Sequence, residues 1–278
     1  MTVRVTGRSS NVQDRRGLRG PILAGGGIGA VVIALLVMFL GGDPREVIQS
    51  GPAPTEQAGP GQSDDAESEF VRGVLYETEQ TWQAIFRDQL GRSYQEPALV
   101  LYTGSTQSAC GLGQAAAGPF YCPLDQQVYI DLSFYRELRE RFGAPGDAAQ
   151  AYVIAHEVGH HVQTLLGISE EVMSRRRRLG PEEGNELSVR QELQADCFAG
   201  VWAREADAAR QILEPGDVEE ALTAASAIGD DRMQRKAQGY VVPETFTHGT
   251  SAQRQRWFRR GLDSGQVTSC DTFSLSQP

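Results

Sequence analysis

Three of the chain's four histidines fall within the stretch AYVIAHEVGHHVQTLLG, from Ala151 to Gly167. His156, Glu157 and His160 form an H-E-x-x-H motif. On a helix, residues four apart project from nearly the same face, so His156 and His160 can offer two ring nitrogens to one ion. Glu157 is rotated about 100° from His156 and so stands beside the ion, where its carboxylate can take a proton from water. Zinc suits this set, because it binds imidazole and lowers the pKa of bound water towards neutrality. His161 points off the metal-facing side and is expected to pack or to support the ligands.

A catalytic zinc takes a third protein ligand and keeps one position open. The stretch RQELQADCFAG supplies two carboxylates four apart, Glu192 and Asp196. One can coordinate while the other holds the outer ring nitrogen of a ligating histidine. The small residues Ala195, Ala199 and Gly200 would let this segment approach the histidine helix closely. Cys197 projects elsewhere and suits a disulfide. The remaining histidine, His248, lies in the loop TFTHGTS. It is either a hydrogen-bond donor to a developing oxyanion or a capping and surface residue. Arg175 to Arg178 fan around a helix and read as a solvated stretch.

These residues need elements to hold them. PGD, Pro145 to Asp147, offers a helix start, with Gln150 as its capping partner and Gly167 as the stop, so the histidines sit mid-helix. Helices are expected over 66–90, 133–142, about 185–206 and 217–228, and from Thr250, where TSAQ forms a capping box. ALVLYT (98–103) and VYIDL (128–132) have strand composition. The order of helix, strands and then mostly helices predicts an α+β domain over 66–278. The edge of the VYIDL strand is expected to pair with an extended peptide.

Ahead of the domain, Ile22 to Leu40 is uncharged and long enough to cross a bilayer as a helix. Arg4, Arg8, Arg15, Arg16 and Arg19 precede it. The positive-inside bias therefore predicts a cytoplasmic arm (1–21), a transmembrane helix (22–40), a flexible linker (41–65) and a domain outside the membrane. A cleaved signal is the alternative, but no A-x-A-like site follows. The net charge of −10 argues against nucleic acid as a partner. Four cysteines suit an oxidising compartment. Cys110 and Cys122 bracket a glycine-rich stretch that a disulfide would close well, though spacing alone does not select among the three pairings.

The motifs SACG, GPFYCPLDQQVYIDLSF, AHEVGHHVQ, RQELQADCFAG and THGTSAQRQRWF, spread over about residues 70–273, resemble the bacterial neutral zinc metallopeptidase family. That resemblance implies a zincin-like, extracytoplasmic and membrane-anchored peptidase domain binding one zinc ion. It also implies Cys110–Cys122 and Cys197–Cys270 bridges. Similarity to thermolysin-like zincins supports Glu192 as third ligand and Asp196 as its neighbour in support. The expected activity is hydrolysis of a peptide or protein substrate with Glu157 as general base. Two other readings remain: a membrane-tethered scaffold with a structural zinc, and a hydrolase of a non-peptide amide.

Overall fold

The computed structural model describes residues 3–17 and 62–278. The apolar stretch 22–40 and most of the expected linker lie outside the described residues, and no described helix is long and apolar enough to cross a membrane.

The architecture is α+β. Helix α1 (Gln62–Asp88) starts within the expected linker, four residues ahead of Ala66. Its apolar residues recur every three or four positions, and Val71, Val74, Leu75, Trp82, Ile85 and Phe86 form the buried stripe. The main sheet has the order β1-β2-β6-β5. In it β1 is Val12–Asp14, β2 Ala98–Tyr102, β5 Phe120–Cys122 and β6 Gln127–Asp131. The parallel strands β2 and β6 are almost continuous apolar runs, as strands covered on both faces require. A small hairpin of β3 (Ser105–Ser108) and β4 (Gly111–Gln114) stands apart from this sheet. Cys110 and Cys122 are bridged, which ties the hairpin turn to β5.

The helical part follows as α2 (Ser133–Glu140), α3 (Asp147–Leu165), α4 (Ile168–Arg176) and α5 (Pro181–Arg210). After these come α6 (Asp217–Ala227), α7 (Asp230–Gln238) and α8 (Ser251–Ser264). Helix α3 is buried on nearly all sides and packs on α5, α6, α1 and β5. Gly167, just past its end, takes the left-handed φ of +80° that glycine tolerates best. The expected capping box at its start does not form. Gly146 is the N-cap, and Asp147 instead accepts the amide of Val3 at 2.6 Å. The box at Thr250 does form, with Gln253.

One expectation is corrected by the sheet, and the arm proves to be part of it. The VYIDL strand is not an edge, because β5 pairs antiparallel along it, with Phe120 stacked on Tyr129 at 4.8 Å. The edge on that side is β5. The arm, expected as a separate segment, is built into the domain: β1 pairs parallel with β2 through Val12↔Leu99 and Asp14↔Leu101.

The arm is held by buried polar contacts as well as by the strand. Glu77, with no exposed surface, accepts from the amide and hydroxyl of Thr6 at 2.6 and 2.7 Å and from Arg210 Nε at 2.5 Å. Ser9 and Asn11 donate to Glu79. Gly7 lies so close to Tyr76 that a Cβ there would meet its ring at 2.4 Å. Glu77→Gln weakens three contacts and leaves Arg210 without its counter-charge. It should lower stability by about 2–3 kcal/mol and Tm by about 5–10 °C. Thermal unfolding measures this, and an unchanged Tm would show that the arm does not depend on Glu77.

Candidate metal centre

Helix α3 carries His156 and His160 one turn apart, with ring centroids 4.8 Å from each other and planes nearly perpendicular. Helix α5 crosses beside it. The crossing is close because Gly159 has no side chain: a Cβ there would sit 2.9 Å from the Ala195 carbonyl oxygen. Ala195 makes the close approach that was expected of it. Gly200 does not, since it faces α8 instead, where the Phe258 carbonyl occupies the space of its missing side chain. Gly261 on α8 answers it against Cys197. Small residues on α5 thus serve two helix contacts, and the Cys197–Cys270 bridge fastens the α8 side.

The crossing places Glu192 opposite both imidazoles. His156 Nε2 lies 3.2 Å from Glu192 Oε2, and His160 Nε2 lies 3.2 Å from Oε1. Ligand atoms of His156, His160 and Glu192 fall within 4.8 Å of one another, a group able to hold one metal ion. Two imidazole nitrogens and one carboxylate, with a fourth direction open to a cleft, are the donor set that catalytic zinc uses.

The outer atoms of both rings are fixed. His156 Nδ1 lies 2.8 Å from Asp196 Oδ1, so Asp196 is the supporting carboxylate and Glu192 the one facing the ion position. His160 Nδ1 lies 2.9 Å from Gln163 Oε1. The Gln163 amide nitrogen donates to Gln191 O and Gln194 Oε1, so its oxygen must accept, and His160 must carry its proton on Nδ1. Both rings are thereby held with Nε2 towards Glu192.

Asp196 has no exposed surface. Arg254 on α8 grips it in a fork, Nε to Oδ2 at 2.8 Å and Nη2 to Oδ1 at 2.9 Å, and the Tyr152 hydroxyl donates to Oδ1 at 2.5 Å. Burial raises the Asp196 pKa, but Arg254 and His156 outweigh it and hold the carboxyl below its usual range. For His156, burial opposes the charged ring, yet Asp196 and Glu192 prevail and lift its pKa to about 10. A site this electronegative favours a cation, whether a proton or a metal.

Glu157 is buried and opens onto the cleft without a hydrogen bond to another described residue. Burial raises its pKa, and the two imidazoles oppose that. His161 is fully buried, away from the cleft, between Tyr121 and Tyr94. Its Nε2 donates to the Gln95 carbonyl at 2.7 Å and its Nδ1 accepts from Tyr121 at 3.0 Å. Burial depresses its pKa to about 4, so the ring is neutral and structural.

The cleft has a volume of about 1100 Å³, and His156, Glu157, His160 and Glu192 line it together with His248. His248 is half-exposed and tethered: Asp230 accepts its backbone amide at 2.6 Å and contacts Nδ1 at 3.2 Å. The Asp230 contact raises the His248 pKa above the ordinary imidazole value, against an opposing effect of burial. Sequence reasoning missed Arg254, Tyr152, Gln163 and Asp230. Tyr152 lies one turn before His156 and Gln163 three residues after His160, so helical spacing could have found both. Arg254 and Asp230 reach the site only through the tertiary fold.

With this geometry in hand, the comparisons with known proteins are informative. Residues 1–273 match the family described as "Putative neutral zinc metallopeptidase". The chain belongs to this family. It is 48% identical over 280 residues to the uncharacterized protein YpfJ of Escherichia coli, covering 96% of this chain and 97% of that one. It is 39% identical over 256 residues to an uncharacterized protein of Mycobacterium tuberculosis, covering 86% and 85%. No solved structure matches it. The family match extends through the arm, in keeping with an arm that is part of the domain.

Asp196→Asn keeps the side chain's shape but removes the charge that orients His156 and neutralises Arg254. Zinc affinity should fall roughly 10–100-fold, and Tm should fall as well, since a buried guanidinium loses its partner. Competition titration with a chelating dye measures the first. Undiminished zinc binding would show that Asp196 has no part in the centre.

Proposed function

We propose that the protein is a zinc-dependent peptidase that hydrolyses internal peptide bonds of an extended substrate. The observation that carries this reading is the convergence of His156, His160 and Glu192 on one point, with Glu157 unbonded beside them in a cleft large enough for a peptide. A purely structural metal site has no use for a buried carboxylate left facing the solvent cleft, and this disfavours the scaffold reading.

When bound, zinc supplies Lewis acidity, lowering the pKa of water and polarising the scissile carbonyl. His156, His160 and Glu192 hold that position, while Asp196 and Gln163 fix the ring orientations. Glu157 takes a proton from the attacking water as oxygen bonds to the carbonyl carbon. It returns that proton to the amine nitrogen as the C–N bond breaks, leaving a carboxylic acid and an amine. His248, its Nδ1 held by Asp230, donates a hydrogen bond to the developing oxyanion. The β5 edge, next to α3, offers main-chain hydrogen bonds to the substrate in place of the buried VYIDL strand.

Two disulfides support an oxidising, extracytoplasmic location for the domain. Membrane attachment through Ile22–Leu40 is retained as part of the proposal, but as association with one membrane face in place of the expected crossing, because the pairing of β1 with β2 keeps arm and domain together. A cysteine replacing Arg8 should then react with a membrane-impermeant thiol reagent in intact spheroplasts. Reaction only after lysis would restore the cytoplasmic arm.

Peptide turnover tests the chemistry. Glu157→Gln should keep zinc bound and lower kcat by about two orders of magnitude or more. His248→Ala, in the same assay, should cost about 100-fold or more in kcat with little change in zinc content, as expected for one well-placed donor. Full activity in Glu157→Gln would end the mechanism. Full activity in His248→Ala would return that residue to a surface role.

A further inference from the structure

We infer that the cleft selects substrates carrying an acidic side chain near the scissile bond, and that Arg176 and Arg177 make the selection. This rests on the peptidase reading and names its substrate class. The four consecutive arginines, expected only as a solvated run, are not equivalent in the fold. Arg176 and Arg177, at the end of α4, line the cleft, whereas Arg175 and Arg178 do not. Arg175 is paired with Glu171 at 3.8 Å. No acid among the described residues pairs with Arg176 or Arg177. The guanidinium of the latter hydrogen-bonds the sulfur of Met173, with Nη2 at 3.7 Å.

Apart from Glu157, which stands unbonded beside the ligand group, the other charges of the cleft are paired among the described residues. Arg141 pairs with Glu137 at 3.4 Å, Arg254 with Asp196 at 2.8 Å and His248 with Asp230 at 3.2 Å. Glu192 belongs to the ligand group. The guanidiniums of Arg176 and Arg177 are therefore positive charge that no described residue pairs, in a chain whose net charge of −10 repels acidic substrates elsewhere. They share the cleft with Met173, Leu179, Phe120 and Tyr121. That mixture suits an acidic residue with apolar neighbours. Arginine also provides a planar fork that matches a carboxylate.

Exposed charge pairs contribute little each, so the selection is modest: about three- to ten-fold in kcat/KM between peptides differing only in Glu for Gln. It should shrink as salt is raised from 0.05 to 0.5 M, about where screening shortens to a few ångströms.

The experiment uses the full zinc-loaded chain and paired peptides with Glu or Gln scanned across the positions flanking one bond. The wild-type protein should prefer Glu at one or two positions through a lower KM. Arg176→Gln/Arg177→Gln should lose that preference, and Arg176→Lys/Arg177→Lys should keep most of it. Arginines that serve only the helix end would change Tm in the Gln variant and leave selectivity intact. Equal rates for Glu and Gln peptides, or a preference that survives the double Gln change, overturn the inference. Binding of the same peptides to the Glu157→Gln protein, read by fluorescence anisotropy, is measured in parallel. If the wild type cleaves no peptide, the peptidase reading fails, and the binding series still decides the acidic preference: tighter binding of Glu peptides supports it and equal binding overturns it.

Discussion

Asp196 is a carboxylate with no exposed surface, and keeping it ionised there costs several kcal/mol unless cations and donors surround it. Arg254, Tyr152 and His156 are those groups, and each comes from a position the rest of the chain must hold. Arg254 requires α8 to lie against α5, which the facing glycines Gly200 and Gly261 permit and the Cys197–Cys270 bridge fastens. His156 and Tyr152 require α3 to cross α5 at Gly159 and Ala195. A single buried charge thereby ties the three helices that build the metal centre into one arrangement. Its consequence is chemical: with Nδ1 engaged, the His156 ring can turn only Nε2 towards Glu192.

The centre and the sheet are joined by α3, which packs against β5 with its histidine turn. The cleft therefore has a strand edge on one wall and the ligand helices on another. The end of α4, with Arg176 and Arg177, also lines it. The proposed catalytic group and the proposed selecting arginines thus stand on different elements, so one can vary without disturbing the other. The arm reinforces the far side of the same sheet through β1, Glu77 and Glu79, and this makes residues 3–17 part of the domain's fold.

Much of the centre is legible in the sequence because it depends on helical spacing. His156 and His160, then Glu192 and Asp196, are each one turn apart, and a helix converts such spacing directly into a shared face. Both disulfides form as the family resemblance implied. What the sequence does not display are contacts between distant segments. Arg254 is 58 residues from Asp196, and nothing local marks it as a buried partner. VYIDL reads as an edge because β5 is only three residues long and too short for a strand signal. The arm reads as the flank of a membrane helix because its arginines outnumber its acids. Its role in the sheet rests on backbone pairing by Val12–Asp14, which leaves no compositional trace. The missing capping box at α3 has a similar cause, since Asp147 is claimed by Val3 from the arm.

The central claim is that His156, His160 and Glu192 together bind one zinc ion and leave a position open. X-ray absorption at the zinc edge of the purified, zinc-loaded chain tests it most directly. The account predicts two imidazole nitrogens and light oxygen donors at about 2.0–2.2 Å, with no sulfur contribution near 2.3 Å. It also predicts that Glu192→Ala removes an oxygen donor while leaving both imidazoles in place. A sulfur shell, or a spectrum unchanged by Glu192→Ala, would contradict it.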